Sequence, residues 1–189
     1  LTKSKFSASW PCPRKLYYLN NKEYGNKNAD DSFLKALAEG GFQVGALAQS
    51  YYPGGHLIAT LDKDEAVEKT SELLKRDEVV IFEGAFRHDN LFIRADIVRK
   101  KGQVIELIEV KAKSFDSSAE FDMWSKRALK KGVYEMTAGF ESYVMDLAFQ
   151  TYVLKKAWPE FSVRSYLMLA DKAKTSTVDG LNQYFKIVR

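Results

Sequence analysis

Between residues 78 and 113, three runs rich in Val, Ile, Leu and Phe follow one another almost without a break: 78–86, 91–99 and 104–113. The links are Asp89-Asn90 and Lys101-Gly102, two-residue turn signals of the hairpin kind. Short links force neighbouring strands to run antiparallel, so this stretch must form a three-strand meander. The runs carry apolar residues on both alternating faces, and a sheet of that composition needs cover on both sides.

The flanking sequence supplies that cover. Residues 2–20 read as a short helical lead-in broken at Pro11 and Pro13. Leu34, Leu37 and Ala38 begin an apolar helical face, Gly40-Gly41 is expected to interrupt it, and Val44, Leu47, Ala48 and Tyr51 resume it up to Pro53-Gly54-Gly55. Asp62 and Glu65 mark the start of a helix reaching about Lys75. After the meander, Ser117-x-x-Glu120 predicts a helix that Gly132 closes, and residues 140–156 an amphipathic one that Trp158-Pro159 stops. Residues 163–169 read as a fourth strand and 183–188 as a fifth. The expected class is α/β: a mixed central sheet made of an antiparallel three-strand meander, a crossover helix and a further strand, flanked by helices.

A chain of 189 residues is long enough for one domain with a real core, taken here as residues 1–189. It opens Leu1-Thr2-Lys3-Ser4, with neither Met nor a signal-like stretch, so a piece excised from a longer protein is an expectation to carry forward. No apolar run approaches the roughly 20 residues of a membrane span. Cys12 is the lone cysteine, which excludes an internal disulfide framework and a four-thiolate cluster and points to the cytoplasm. With only His56 and His88 besides, any metal must be held mostly by oxygen. The net charge of +4 is modest, but Lys3, Lys5, Arg14, Lys15, Lys22 and Lys27 face only Glu23 before the first Asp pair. Lys111, Lys113, Lys126, Arg127, Lys130 and Lys131 make a second basic stretch. Such clusters suit a phosphate backbone, and also ordinary solvated helix faces.

The turns set a register. With Asp89-Asn90 as one link, His88 pairs with Leu91 and Glu83 falls opposite Asp96. With Lys101-Gly102 as the other, Asp96 falls opposite Leu107, and Glu109 is one diagonal step away with Lys111 beyond it. Three acids and a lysine therefore gather on one face of an apolar sheet. Buried charge of that density needs a partner, and a hard dication such as Mg²⁺ suits carboxylate oxygens. A solvated Glu–Lys ion pair is the plain alternative.

Ile93-Arg94-Ala95-Asp96-Ile97-Val98 followed by Ile105-Glu106-Leu107-Ile108-Glu109-Val110-Lys111 resembles the motif of the PD-(D/E)xK nuclease superfamily in its RecB-like form, and Phe149-Gln150-Thr151-Tyr152 resembles that group's Gln-bearing helix. Leu1-Thr2-Lys3-Ser4-Lys5-Phe6, Cys12-Pro13-Arg14-Lys15-Leu16, Val44-Gly45-x-Leu47-Ala48, Phe82-Glu83-Gly84-Ala85-Phe86, Asp146-Leu147-Ala148-Phe149-Gln150 and Asp179-Gly180-Leu181-Asn182 resemble a bacterial branch of uncharacterised RecB-like proteins. Departures exist: Gln49 stands where relatives place a His four residues after Gly45, Leu154 stands where they place Tyr, and Cys12 alone cannot hold an iron–sulfur cluster. The stretch between Lys113 and Phe140 is longer than in the branch and reads as an insertion near the substrate.

The resemblance implies a restriction-endonuclease-like fold and hydrolysis of phosphodiester bonds in nucleic acid, DNA above all. It implies Mg²⁺ or Mn²⁺ held by Asp96, Glu109 and the backbone carbonyl of Val110, with Glu83 bound directly, through water, or helping to hold a second ion. Lys111 would orient the attacking water, and Gln150 would contact substrate or water. Tyr152, Lys113, Lys126 and Arg127 are the further candidates for nucleic-acid contact. Phe121 and Trp124 fit packing, with stacking on bases as the alternative. Two competing readings are a non-catalytic nucleic-acid-binding module and a structural domain whose acids are ordinary ion pairs.

Overall fold

The computed structural model describes residues 1–19, 21, 23–24, 31–119, 122–175 and 177. Its centre is a five-stranded mixed sheet with strands in chain order, β1 (His56–Leu57), β2 (Glu78–His88), β3 (Leu91–Lys101), β4 (Val104–Phe115) and β5 (Ser162–Asp171). β2, β3 and β4 form the antiparallel meander, while β1 lies parallel to β2 and β5 parallel to β4. Helices α1 (Lys3–Ser9), α2 (Lys15–Leu19), α3 (Ser32–Ser50), α4 (Lys63–Leu74), α5 (Lys126–Leu129) and α6 (Ala138–Ala157) surround it. Among the described residues no helix is long and apolar enough to cross a membrane.

Both faces of the sheet are covered, as the unbroken apolar runs require. Ile81, Phe86, Ile93, Ile105 and Leu107 are fully buried with Val153 and Leu154 of α6, and α4 contributes Ala66 and Leu74 to the same core. Burying a Leu, Ile or Phe side chain stabilises by about 1.5–3 kcal/mol, so this cluster is the main anchor of the fold. A smaller cluster of Phe82, Ile97 and Ile108 packs with Ala48 of α3. α4 begins at Asp62, whose carboxylate accepts the Glu65 N–H at 2.9 Å, the cap its sequence announces.

Four expectations need correction or leave the described region. α3 runs unbroken through Gly40-Gly41. Glycine can take helical dihedrals at a cost of about 1 kcal/mol, which one continuous helix tolerates. No helix starts at Ser117: its N–H goes to Asp171 Oδ1 at 3.2 Å, and the Asp116 N–H goes to Asp122 Oδ2 at 3.0 Å. Carboxylates that capture these backbone donors hold a turn, and the helix starts instead at Ser125 as the short α5. Glu120 and the expected strand at 183–188 lie outside the described residues, as does Asp179-Gly180-Leu181-Asn182.

The last correction moves the register. His88 pairs with Leu91 as expected, but Lys101 pairs with Val104, so the second turn is Gly102-Gln103. Gly102 has φ 55° and no positive φ occurs at Gln103, the arrangement of a turn that places glycine first. Moving the turn by one residue shifts the pairing by two, so that Val98, not Asp96, stands opposite Leu107 and Ile97 opposite Ile108. Counting on by one residue sets Asp96 across from Glu109.

Candidate active site

The β3–β4 ladder stops at Ile97↔Ile108. Beyond it the first half of β3 stays with β2, and the last part of β4 stays with β5. The sheet therefore forks, and the acids stand where it opens. Parting strands leave backbone donors without a ladder partner, and Asp96 Oδ2 accepts the Val110 N–H at 2.7 Å in their place. Glu83, across from Asp96 on β2, has φ 57°, a left-handed conformation rare for a residue other than glycine. That strain, of order 1–3 kcal/mol, sits at the rim of the fork.

An open cavity of about 510 Å³ lies at this point, lined by Glu83, Asp96, Glu109 and Lys111, with Lys3 of α1 and with Gly45 and Gln49 of α3. The structure thus brings together Glu83, Asp96, Glu109, Val110 and Lys111 as the sequence leads one to expect. Gln150 is near them but not on the cavity wall. Its side chain is fully buried behind Glu109, and Nε2 donates to Glu109 Oε2 at 2.7 Å. Here Gln150 fixes the carboxylate instead of reaching the open cavity. Tyr152, on the same helix, is exposed beside Lys156. Lys113 lies over the Phe140 ring, and Lys126 and Arg127 are exposed on α5. Trp124 packs edge-on against Tyr134, whereas Phe121 lies outside the described residues.

Lys3 and Asp146 join the cluster with no role assigned from sequence. Lys3 Nζ donates to both oxygens of Glu109, at 2.8 and 3.0 Å, and stands 3.9 Å from both Asp96 Oδ1 and Asp146 Oδ2. Asp146 Oδ2 also faces Lys111 Nζ at 3.2 Å. Asp146 precedes Gln150 by one helical turn, a spacing that puts both on one face of α6. That is a usable signal for Asp146; Lys3 carries none, since only tertiary packing brings it here. α1 is held by the stack of Phe6 on Phe149, with ring centroids 4.4 Å apart, and by the bridge between Thr2 and Phe92.

Electrostatics separate the acids. Burial and the neighbouring Glu109 raise Asp96 to about 6. Burial also raises Glu83, partly offset by Arg94, and raises Asp146 against the pull of Lys3. Glu109 is the most enclosed, yet burial loses there to the Lys3 and Lys111 ammoniums, which hold it below the usual range. Lys111 is raised: burial opposes its charge, but Glu109 and Asp146 outweigh that. Four carboxylates (Glu83, Asp96, Glu109, Asp146) thus share the cations of Lys3, Lys111 and Arg94.

Among the described residues, no three or more His, Cys, Asp or Glu side chains are set to hold one ion as they stand. The acids turn toward the lysines between them. Their donor chemistry fits a hard dication all the same, since the available atoms are oxygens, and Asp146 Oδ1 and Gln150 Oε1 are buried without a hydrogen-bond partner. Comparison with protein-family models, with curated proteins and with solved structures yields no significant match to this chain.

Proposed function

We propose that this chain is a divalent-metal-dependent nuclease of the PD-(D/E)xK kind with a restriction-endonuclease-like fold, hydrolysing phosphodiester bonds of DNA. The observation that carries this reading is the shared cavity: Asp96 from one strand, with Glu109 and Lys111 from the next, lines a single opening at the fork. Asp96, Glu109 and the Val110 carbonyl would hold Mg²⁺ or Mn²⁺, with Glu83 at the edge. Such an ion, when bound, supplies charge to the scissile phosphate and acidifies a water.

The protein's own groups do the rest. Gln150 and the Val110 N–H fix the two carboxylates, one through Glu109 and one through Asp96. Lys111, steadied by Glu109 and Asp146, reaches the cavity and offsets negative charge that grows at phosphorus. Lys126 and Arg127, exposed on α5, offer phosphate contacts, as does Lys113, and the exposed Tyr152 ring offers a surface on which a base can stack.

End-labelled single- and double-stranded DNA, incubated with the protein and Mn²⁺, tests this directly. Cleavage that Asp96→Asn abolishes is the expected result. Intact DNA and intact RNA under both Mg²⁺ and Mn²⁺ would end the nuclease reading. One observation favours a second reading, a nucleic-acid-binding module without turnover: the Lys3 ammonium rests on Glu109, where a ligand oxygen should be free. Retention of DNA without cleavage would select it.

A further inference from the structure

Lys3 is the group that the proposed chemistry does not use, yet it sits at the centre of the charge cluster. Its ammonium lies within 4 Å of three carboxylates and engages both oxygens of Glu109. Those oxygens are already shared: Oε1 also receives Lys111, and Oε2 receives Gln150. A dication cannot draw on Glu109 while a second cation lies against the same atoms, because like charges at such range repel strongly in a partly buried site.

There is room for the lysine to leave. A second cavity, of about 380 Å³, is also lined by Lys3 and is walled by Thr2, Ser4, Glu83, Arg94 and Asp96. The backbone of α1 is pinned by Phe6 against Phe149 and by Thr2 against Phe92, so the flexible four-carbon stem is the part free to move. Glu83, at the boundary of both cavities and 3.7 Å from Arg94, has a carboxylate that the departing ammonium can share.

We propose that Lys3 is a built-in counter-cation that holds the metal-free carboxylates together and is exchanged for the dication, swinging from Glu109 toward Glu83 as the ion enters. The exchange rests on the metal-dependent reading above, and it makes Lys3 a positioning residue that sets metal affinity. It also accounts for two features at once, the acids turned toward lysine and the empty space beside it.

The test is Mn²⁺ affinity, measured by calorimetry on the whole chain and on Lys3→Met and Lys3→Arg. Lys3→Met keeps the stem and removes the competitor, so Mn²⁺ should bind about tenfold more tightly or better, the worth of one charged hydrogen bond. Lys3→Arg keeps the charge and should bind no more tightly than the parent. Reductive methylation of Lys3, read by mass spectrometry, should rise when the parent is saturated with Mn²⁺. Equal affinity of parent and Lys3→Met overturns the exchange and leaves the metal site standing. Absence of Mn²⁺ binding by all three proteins overturns the metal reading and the exchange with it. If Lys3→Met does not fold alone, millimolar Mn²⁺ should restore it, and failure to do so counts against the exchange.

Discussion

Asp96 Oδ2 and the backbone N–H of Val110 meet at 2.7 Å, at the point where β3 and β4 stop pairing with each other. A side chain thereby closes the ladder that the backbone leaves open, and the bond aims the carboxylate across the fork toward the Glu109 strand. Because the amide of an Asn can accept the same N–H, charge and position at residue 96 can be separated experimentally.

Asp96→Asn should fold at least as well as the parent without metal while losing metal binding. Burial and Glu109 raise Asp96 from 3.8 to about 6, so the fold holds its proton more tightly than the unfolded chain does. The resulting stabilisation is complete below pH 3.8 and disappears as pH rises through about 6. Above about pH 7 the variant should gain on the order of 1 kcal/mol, and its stability should vary less between pH 4 and 7. Melting curves of both proteins over that range, free of metal, provide the comparison. A variant markedly less stable than the parent at neutral pH would contradict it.

Lys111→Ala should slow cleavage by about 10²–10³ while still binding Mn²⁺, since the lysine offsets charge in the transition state and is no ligand itself. Single-turnover rates beside a metal titration give both quantities. A variant that cuts like the parent would reduce Lys111 to an ion-pair partner of Glu109 and Asp146.

Gln150→Leu removes the Nε2 donor behind Glu109 with little change of volume. Withdrawing a hydrogen bond from a buried carboxylate should cost about 2–3 kcal/mol in urea denaturation. Metal affinity should drop roughly tenfold or more as Glu109 loses its orientation. An unchanged unfolding midpoint would show that the bond contributes nothing.

Glu83→Gly relieves a left-handed backbone, whereas Glu83→Gln removes the same charge and keeps the strain. The glycine variant should be the more stable by about 1 kcal/mol, a difference readable from denaturation midpoints. The reverse order would mean that the conformation at φ 57° is not strained.

Much of this arrangement could be read from residues, and the failures have physical causes. Asp89-Asn90 names its own turn, so the β2–β3 register, and with it Glu83 across from Asp96, follows from sequence. At the next turn Gly102 is the first loop residue and not the second, because that is where the positive φ falls, and choosing otherwise moves the partner of Asp96 by two places, from Glu109 to Leu107. The two-residue strand β1 is too short for any periodicity to reveal. Gly55 beside it faces the Phe82 ring so closely that a Cβ would come within 2.3 Å, a packing demand invisible in composition. Near residue 116 the competition between side-chain and backbone acceptors decided against the helix that Ser117 suggested. Lys3 was legible as a basic residue and as part of the resembling stretch Leu1–Phe6, but not as a member of the site, since its partner is 106 residues away.

That distance has a kinetic side. The hairpin joining β3 to β4 closes over Gly102-Gln103 and can form within about 1–10 μs, setting Asp96 facing Glu109 early. Lys3 must close a loop of 106 residues, more than half of the chain, and a loop of that length pays more closure entropy than any hairpin. The two acids therefore confront each other before their shared ammonium arrives, and the neutralising contact belongs to the late, native side of the barrier. In a chevron analysis Lys3→Met should speed unfolding and leave the refolding limb where it was, since contacts absent from the transition state act on unfolding alone. A slower refolding limb would place α1 in the nucleus. With the limb unmoved, Lys3 acts as a latch on the native state, fastened after the sheet has formed.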